Sequence, residues 1–160
     1  MANEVCILAS LMATAMFLTS PELSQAVEQL DRVRLPSRTL GSWASSGLLV
    51  PSIDWAKTQR VPRLYSLRDL AKARLLVRLR QAKFGAARVR VIMAHIEQHE
   101  PNLFSEGSRA VLTFDGWRTE VRIQQPGEAV RNVPSGQLEL PLADVLAGNV
   151  EVVRGIRNAA

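Results

Sequence analysis

The stretch RTLGSWASSGLLVPS, Arg38 to Ser52, combines a Trp, a Gly, three Ser and no acid ahead of a Gly-Leu-Leu break. The pattern predicts a short helix in which Leu40, Trp43 and Ala44 share an apolar face. Gly47 stands where a left-handed residue ends such a helix. Ser37 is expected to cap its start. Basic runs flank it on both sides, DRVRLPSR before and KTQRVPR after. A small polar helix between two basic runs needs a reason, and the rest of the chain supplies one.

The surrounding charge is uneven. From Arg32 to Arg90 there are fourteen Lys and Arg against Asp54 and Asp69, a local excess of +12, whereas the remainder carries −7. A basic block inside an otherwise acidic chain points to a polyanion, with nucleic acid the leading candidate. At 160 residues and 47% hydrophobic content the chain fits one domain with an appendage and can bury a real core. The single cysteine, Cys6, excludes an internal disulfide and suggests a reducing, cytoplasmic setting. VCILASLMATAMFL, Val5 to Leu18, is too short for a membrane span and lacks a basic leader. It is expected to be an apolar helix covered by the core or by a second subunit.

Upstream of the quoted stretch, Thr19-Ser20-Pro21-Glu22 is a helix start, and Leu23, Ala26, Val27 and Leu30 give the helix one apolar face. Pro36 should end it near Arg34. Downstream, Leu48–Val50 and Arg63–Tyr65 read as two short strands around the loop from Ser52 to Pro62. Ser66 with Asp69 resembles a capping box that opens a helix running to about Ala82. That helix carries Leu70, Ala73, Leu76, Val77 and Arg80 along one side. Phe84-Gly85 breaks it. A further helix, about Ala86 to Glu100, buries Val89, Ile92, Met93 and Ile96. The period then changes: Ala110–Phe114, the turn Asp115-Gly116 and Trp117–Ile123 predict a hairpin. Gln137–Leu140 is a candidate third strand, and Pro141–Ala147 a short helix closed by Gly148.

Helix, tight turn, short helix, two-stranded wing and two more helices is the order of a winged helix-turn-helix. TLGSWASSGLLVPS, Thr39 to Ser52, resembles the recognition-helix segment of the MerR family, in which Thr-Leu precedes an aromatic residue and Gly-Leu-Leu leads to Pro. Arg63-Leu64-Tyr65-Ser66 is similar to that family's Arg-x-Tyr at the end of the wing. Asp69-Leu70, Leu75 to Arg80 and Phe84 are similar to its third helix and following turn. The resemblance spans about residues 19–93. It implies a dimeric regulator of transcription whose second helix enters the major groove of double-stranded DNA while the wing lies on phosphates.

Under that implication Ser37, Arg38, Thr39, Ser42, Ser45 and Ser46 offer donors without an acid to repel phosphate. Lys57, Arg60 and Arg63 reach the backbone beside them, and the resemblance adds Tyr65. Trp43 faces inward. The chain departs from the family in four places. Gly41 stands where an Arg usually follows Thr-Leu, with Arg38 as the substitute. The interval from Glu22 to Thr39 is long. Lys83 replaces a Gly before Phe84. A small β-rich region follows where the family places a long dimerisation helix. The cysteine pairs of metal- and redox-sensing members are absent, so those roles do not carry over.

The expected architecture is mainly α with small β elements, an α+β chain. Residues 1–18 form the apolar helix, 19–100 the winged helix-turn-helix, and 101–160 a β-rich region for dimerisation or a protein partner such as a toxin or the polymerase. No cofactor or metal is expected. His95 and His99 lie four apart, but HIEQH is not a metalloprotease pattern, and no catalytic motif points to an enzyme. An antitoxin that represses its own operon is the alternative function, and an accessory factor of the excisionase kind a third.

Overall fold

The structure, a computed structural model, describes residues 16–54, 62–104, 111–114, 121–124 and 138–159. It is mainly helical with two small antiparallel sheets, an α+β chain. The chain divides into two compact units, 1–70 with 148–160, and 71–147.

In the first unit, strand β1 (Leu18–Thr19) leads into helix α1 (Ser20–Asp31). Glu22 sets that start: its Oε2 accepts the Thr19 backbone N–H at 2.6 Å and the Thr19 hydroxyl at 2.8 Å. Leu23, Ala26 and Val27, one face at helical spacing, are fully buried. The helix ends three residues earlier than the sequence suggests. Arg32 turns left-handed at φ 57° with its N–H on the Glu28 carbonyl, so that Leu35 can drop into the core. The apolar segment expected to be helical through Leu18 also differs: Leu18 is in a strand, and residues 5–15 lie outside those described.

Helix α2 (Ser37–Ser45) follows a five-residue link. Ser37 is its first helical residue rather than its cap. Pro36 occupies the cap position in extended geometry, and no side chain caps the first turn. At the other end Gly47 has φ +72°; its N–H donates to the Ala44 carbonyl at 3.2 Å and that of Leu48 to the Trp43 carbonyl at 2.9 Å. This is the two-bond left-handed closure that the Gly-Leu pair predicts.

The wing differs in its pairing. Leu48–Val50 is not a strand. Strand β2 (Leu64–Tyr65) pairs instead with β1, Leu18 opposite Tyr65, while Ile53 forms a two-bond bridge to Leu64 from the other side. Leu48 and Leu49 are held back by the Trp43 carbonyl, which accepts both of their N–H groups. Pairing therefore starts at Ile53.

Helix α3 (Leu67–Gln81) begins with the predicted capping box: Ser66 N–H donates to Asp69 Oδ2 at 2.9 Å and Asp69 N–H to Ser66 Oγ at 3.3 Å. It is covered on several sides, with Leu70, Ala71, Ala73, Leu75, Leu76, Val77 and Leu79 all buried, and Arg80 is exposed rather than on the apolar side. The division between the units falls within this helix.

In the second unit, α3 ends in a turn where Lys83 is left-handed at φ 63°. Lys83 N–H reaches the Arg80 carbonyl and Phe84 N–H the Leu79 carbonyl, the same closure as at Gly47. Helix α4 (Ala86–His99) buries Val89, Ile92, Met93 and Ile96 as predicted. Strands β3 (Val111–Phe114), β4 (Val121–Gln124) and β5 (Leu138–Pro141) form a sheet ordered β4-β3-β5. Phe114 pairs with Val121, while Asp115, Gly116 and Trp117 of the expected turn lie outside the described residues. Buried Leu112 and Leu140 are direct partners.

Helix α5 (Leu142–Leu146) is secured by a buried cation. Arg74, 3% exposed, donates from Nη1 to the carbonyls of Val145 (2.9 Å) and Ala147 (2.8 Å) and from Nη2 to that of Asp144 (2.9 Å). These are the carbonyls a helix end leaves without partners, and the negative end of the helix favours a cation there. Gly148 then turns at φ +75°. Helix α6 (Asn149–Ala159), absent from the sequence expectation, belongs to the first unit and packs against α1 through Val153 and Ile156. Arg157 donates to the Phe17 carbonyl beside β1.

Arg74→Ala would take the guanidinium from the Val145 and Ala147 carbonyls and leave that of Asp144 only Arg78, at 3.5 Å. The expected loss is about 2–4 kcal/mol of unfolding free energy, measured by urea denaturation.

Candidate nucleic-acid interface

Helix α2 has two unlike faces. Leu40 and Trp43 are buried at 1% and 6% exposure, as the inward reading of Trp43 requires. Arg38, Ser42 and Ser45, spaced i, i+4 and i+7, form one exposed row, with Ser37 exposed at its start and Thr39 half-buried at its side. The row carries no acid.

Its hydroxyls are not equivalent. Ser45 Oγ donates to the carbonyls of Gly41 (2.9 Å) and Ser42 (3.2 Å), and Ser46 Oγ to that of Trp43 (3.3 Å). These back-bonds leave the oxygens of Ser45 and Ser46 as outward acceptors. The first turn of α2 has no side-chain cap; the N–H groups of Thr39 and Leu40 reach the Pro36 carbonyl, so those of Ser37 and Arg38 are the ones that the helix itself does not satisfy. A phosphate satisfies such groups.

Both acids of the basic block are used internally. Asp69, 4% exposed, accepts Ser52 N–H at 3.1 Å, Ser52 Oγ at 2.6 Å and Ser66 N–H at 2.9 Å through one oxygen. Asp54 faces Arg63, with Nε 3.6 Å from Oδ1. Neither projects against the basic surface. Arg63 is half-buried at the base of the wing, about a third of its side chain exposed. Lys57 and Arg60 lie outside the described residues.

Tyr65 departs from expectation. Its side chain is fully buried, so the ring is not offered to a ligand. The cause is strand pairing: Tyr65 sits opposite Leu18 in β2, which turns it into the core. Burial, the largest effect, pushes its phenol above the usual tyrosine value, and the nearby Ser20 hydroxyl works weakly the other way. Arg32, Arg34 and Arg68 of the same unit are exposed cations that were not singled out as site residues, although the basic block contains them. In the second unit Arg80, Lys83 and Arg90 are exposed around the α3–α4 turn, and the Arg88 guanidinium lies 4.2 Å from the Phe84 ring centre.

The rings of His95 and His99 are 4.5 Å apart on α4. No group of three or more His, Cys, Asp or Glu among the described residues could hold a metal ion. Among the described residues no helix is long and apolar enough to cross a membrane.

Two outcomes test this geometry. A Cβ at Gly47 meets no described atom within 4 Å, so Gly47→Val should cost chiefly the backbone strain of φ +72°, about 1–3 kcal/mol, seen as a lower Tm. The single tyrosine makes the second test clean. Its absorbance near 295 nm should titrate above the ordinary value of about 10. An unfolded chain releases that proton first, so Tyr65 leaves stability unchanged below pH ~10 and lowers it as the pH rises from there to the folded value.

With this geometry in view, residues 25–96 match the family model described as MerR HTH family regulatory protein. The match covers α2, α3 and most of α1 and α4, somewhat less than half of the chain. No curated protein matches the chain significantly.

Proposed function

We propose, from the premise that residues 25–96 form a MerR-like helix-turn-helix domain, that the chain is a sequence-specific regulator of transcription. It binds double-stranded DNA with α2 in the major groove and the wing on the phosphates. One observation carries this reading. The exposed row of α2 is free of acid inside a +12 block whose two carboxylates are both turned to internal partners. Such a row attracts phosphate and keeps Arg38 and the serines available for base edges.

In this reading Arg38 reads a base, Ser37, Thr39, Ser42 and Ser45 supply shorter contacts, and Lys57, Arg60 and Arg63 position the domain on the backbone. Tyr65 serves as the buried anchor of the wing rather than as a contact. The protein acts as a homodimer on two half-sites, since a single winged module covers too little DNA for tight specific binding. It needs no catalytic group for this.

About 4–8 phosphate contacts per dimer would make log K fall with log salt at a slope of roughly −4 to −7. Fluorescence anisotropy of the full chain on duplex DNA measures this, and a flat response would refute the proposal. Arg38→Ala should cost about 1–3 kcal/mol on the preferred site and relax discrimination there, whereas Arg63→Ala should weaken all duplexes alike.

A further inference from the structure

The exposed row of α2 has a gap at its edge. Gly41 is the fifth of nine helical residues and lies, half-exposed, beside Ser45 at the edge of the row that Arg38, Ser42 and Ser45 form. Glycine is among the poorest residues for a helix interior, second only to proline. Among the described residues nothing repays that choice. Its backbone is ordinary right-handed helix, and a Cβ built there meets no atom within 4 Å. Positive φ and a chain turn are therefore excluded as reasons, and so is tight packing among the described residues. What remains is something outside the chain that must approach the backbone more closely than a side chain allows.

The chemistry of that approach is restricted. The Gly41 carbonyl already accepts the Ser45 hydroxyl at 2.9 Å in addition to its place in the helix. Position 41 therefore presents a bare apolar Cα, bordered by the short side chains of Ser42 and Ser45. On the floor of the major groove one group is apolar, the 5-methyl of thymine. On the reading of α2 as the recognition helix, we infer that Gly41 is a specificity-determining residue: its missing side chain lets the helix seat deeply over a thymine methyl. Arg38 is one turn before it on the same face, so the polar and apolar contacts fall on neighbouring base pairs.

The test uses the full chain and a duplex selected from random sequences with the wild-type protein. Gly41→Ala should raise Tm by about 2–4 °C for a chain of this length, which shows that the variant folds. It should bind the selected duplex at least tenfold more weakly and an unrelated duplex equally well, since the phosphate contacts are untouched. Replacing the thymines under α2 with uracil, one at a time, should weaken the wild type at one position and leave Gly41→Ala indifferent there. Full affinity of Gly41→Ala for the selected duplex would overturn the inference. So would equal losses on both duplexes, or a wild type insensitive to every uracil. If the wild type enriches no duplex at all, the reading of the chain as a sequence-specific regulator falls, and the role of Gly41 falls with it.

Discussion

One carboxylate oxygen organises the first unit. Asp69 Oδ2 accepts the N–H and hydroxyl of Ser52 and the N–H of Ser66. The first two bonds hold the chain that leaves α2, and the third holds the start of α3. The residues between them include the wing, so its base is pinned at both ends to one buried atom. Charge-assisted bonds of this kind are roughly twice as strong as neutral ones. The backbone continues the arrangement: Leu64 is bridged to Ile53 on one side and to Thr19 on the other, so the wing base is joined to the strand that opens α1. The placement of α2 beside β2 follows from these few bonds together with the burial of Leu40, Trp43 and Leu49.

The same carboxylate shapes the electrostatics. An acid on the outer surface here would oppose a polyanion, and the basic block contains just two. One is buried as a structural acceptor and the other faces Arg63. Stability and the proposed function therefore do not compete for these groups. The polar residues left outside on α2 are its serines and Arg38, which can give or receive hydrogen bonds without that penalty.

The second unit uses an opposite device, a buried cation. Arg74 satisfies three carbonyls at the end of α5 with two nitrogens. An arginine inside a run of aliphatic residues looks in sequence like a solvated position, and the helical spacing gives no sign of which way it points. Lys83 teaches a related point. The family's Gly is absent, yet the left-handed closure persists with φ 63° because Lys83 and Phe84 still bond back to Arg80 and Leu79. Backbone bonding here outweighs the preference of the residue.

Local rules made much of this chain legible. Thr19 with Glu22 and Ser66 with Asp69 announced two helix starts, Gly47 a left-handed closure, and Leu40 with Trp43 the buried face of α2. All depend on residues within a turn or so of one another, which is why the sequence alone determined them. Tertiary structure decided the partners. Leu64–Tyr65 pairs with Leu18–Thr19 rather than with Leu48–Val50, and that choice buries the Tyr65 ring that a motif would place on DNA. Val153 and Ile156 find α1 more than a hundred residues earlier in the chain. Asp69 reaches back to Ser52. Helical periods and caps are fixed by short-range geometry, whereas strand partners and the burial of a charged group depend on which distant surfaces meet. That depends on the whole chain at once.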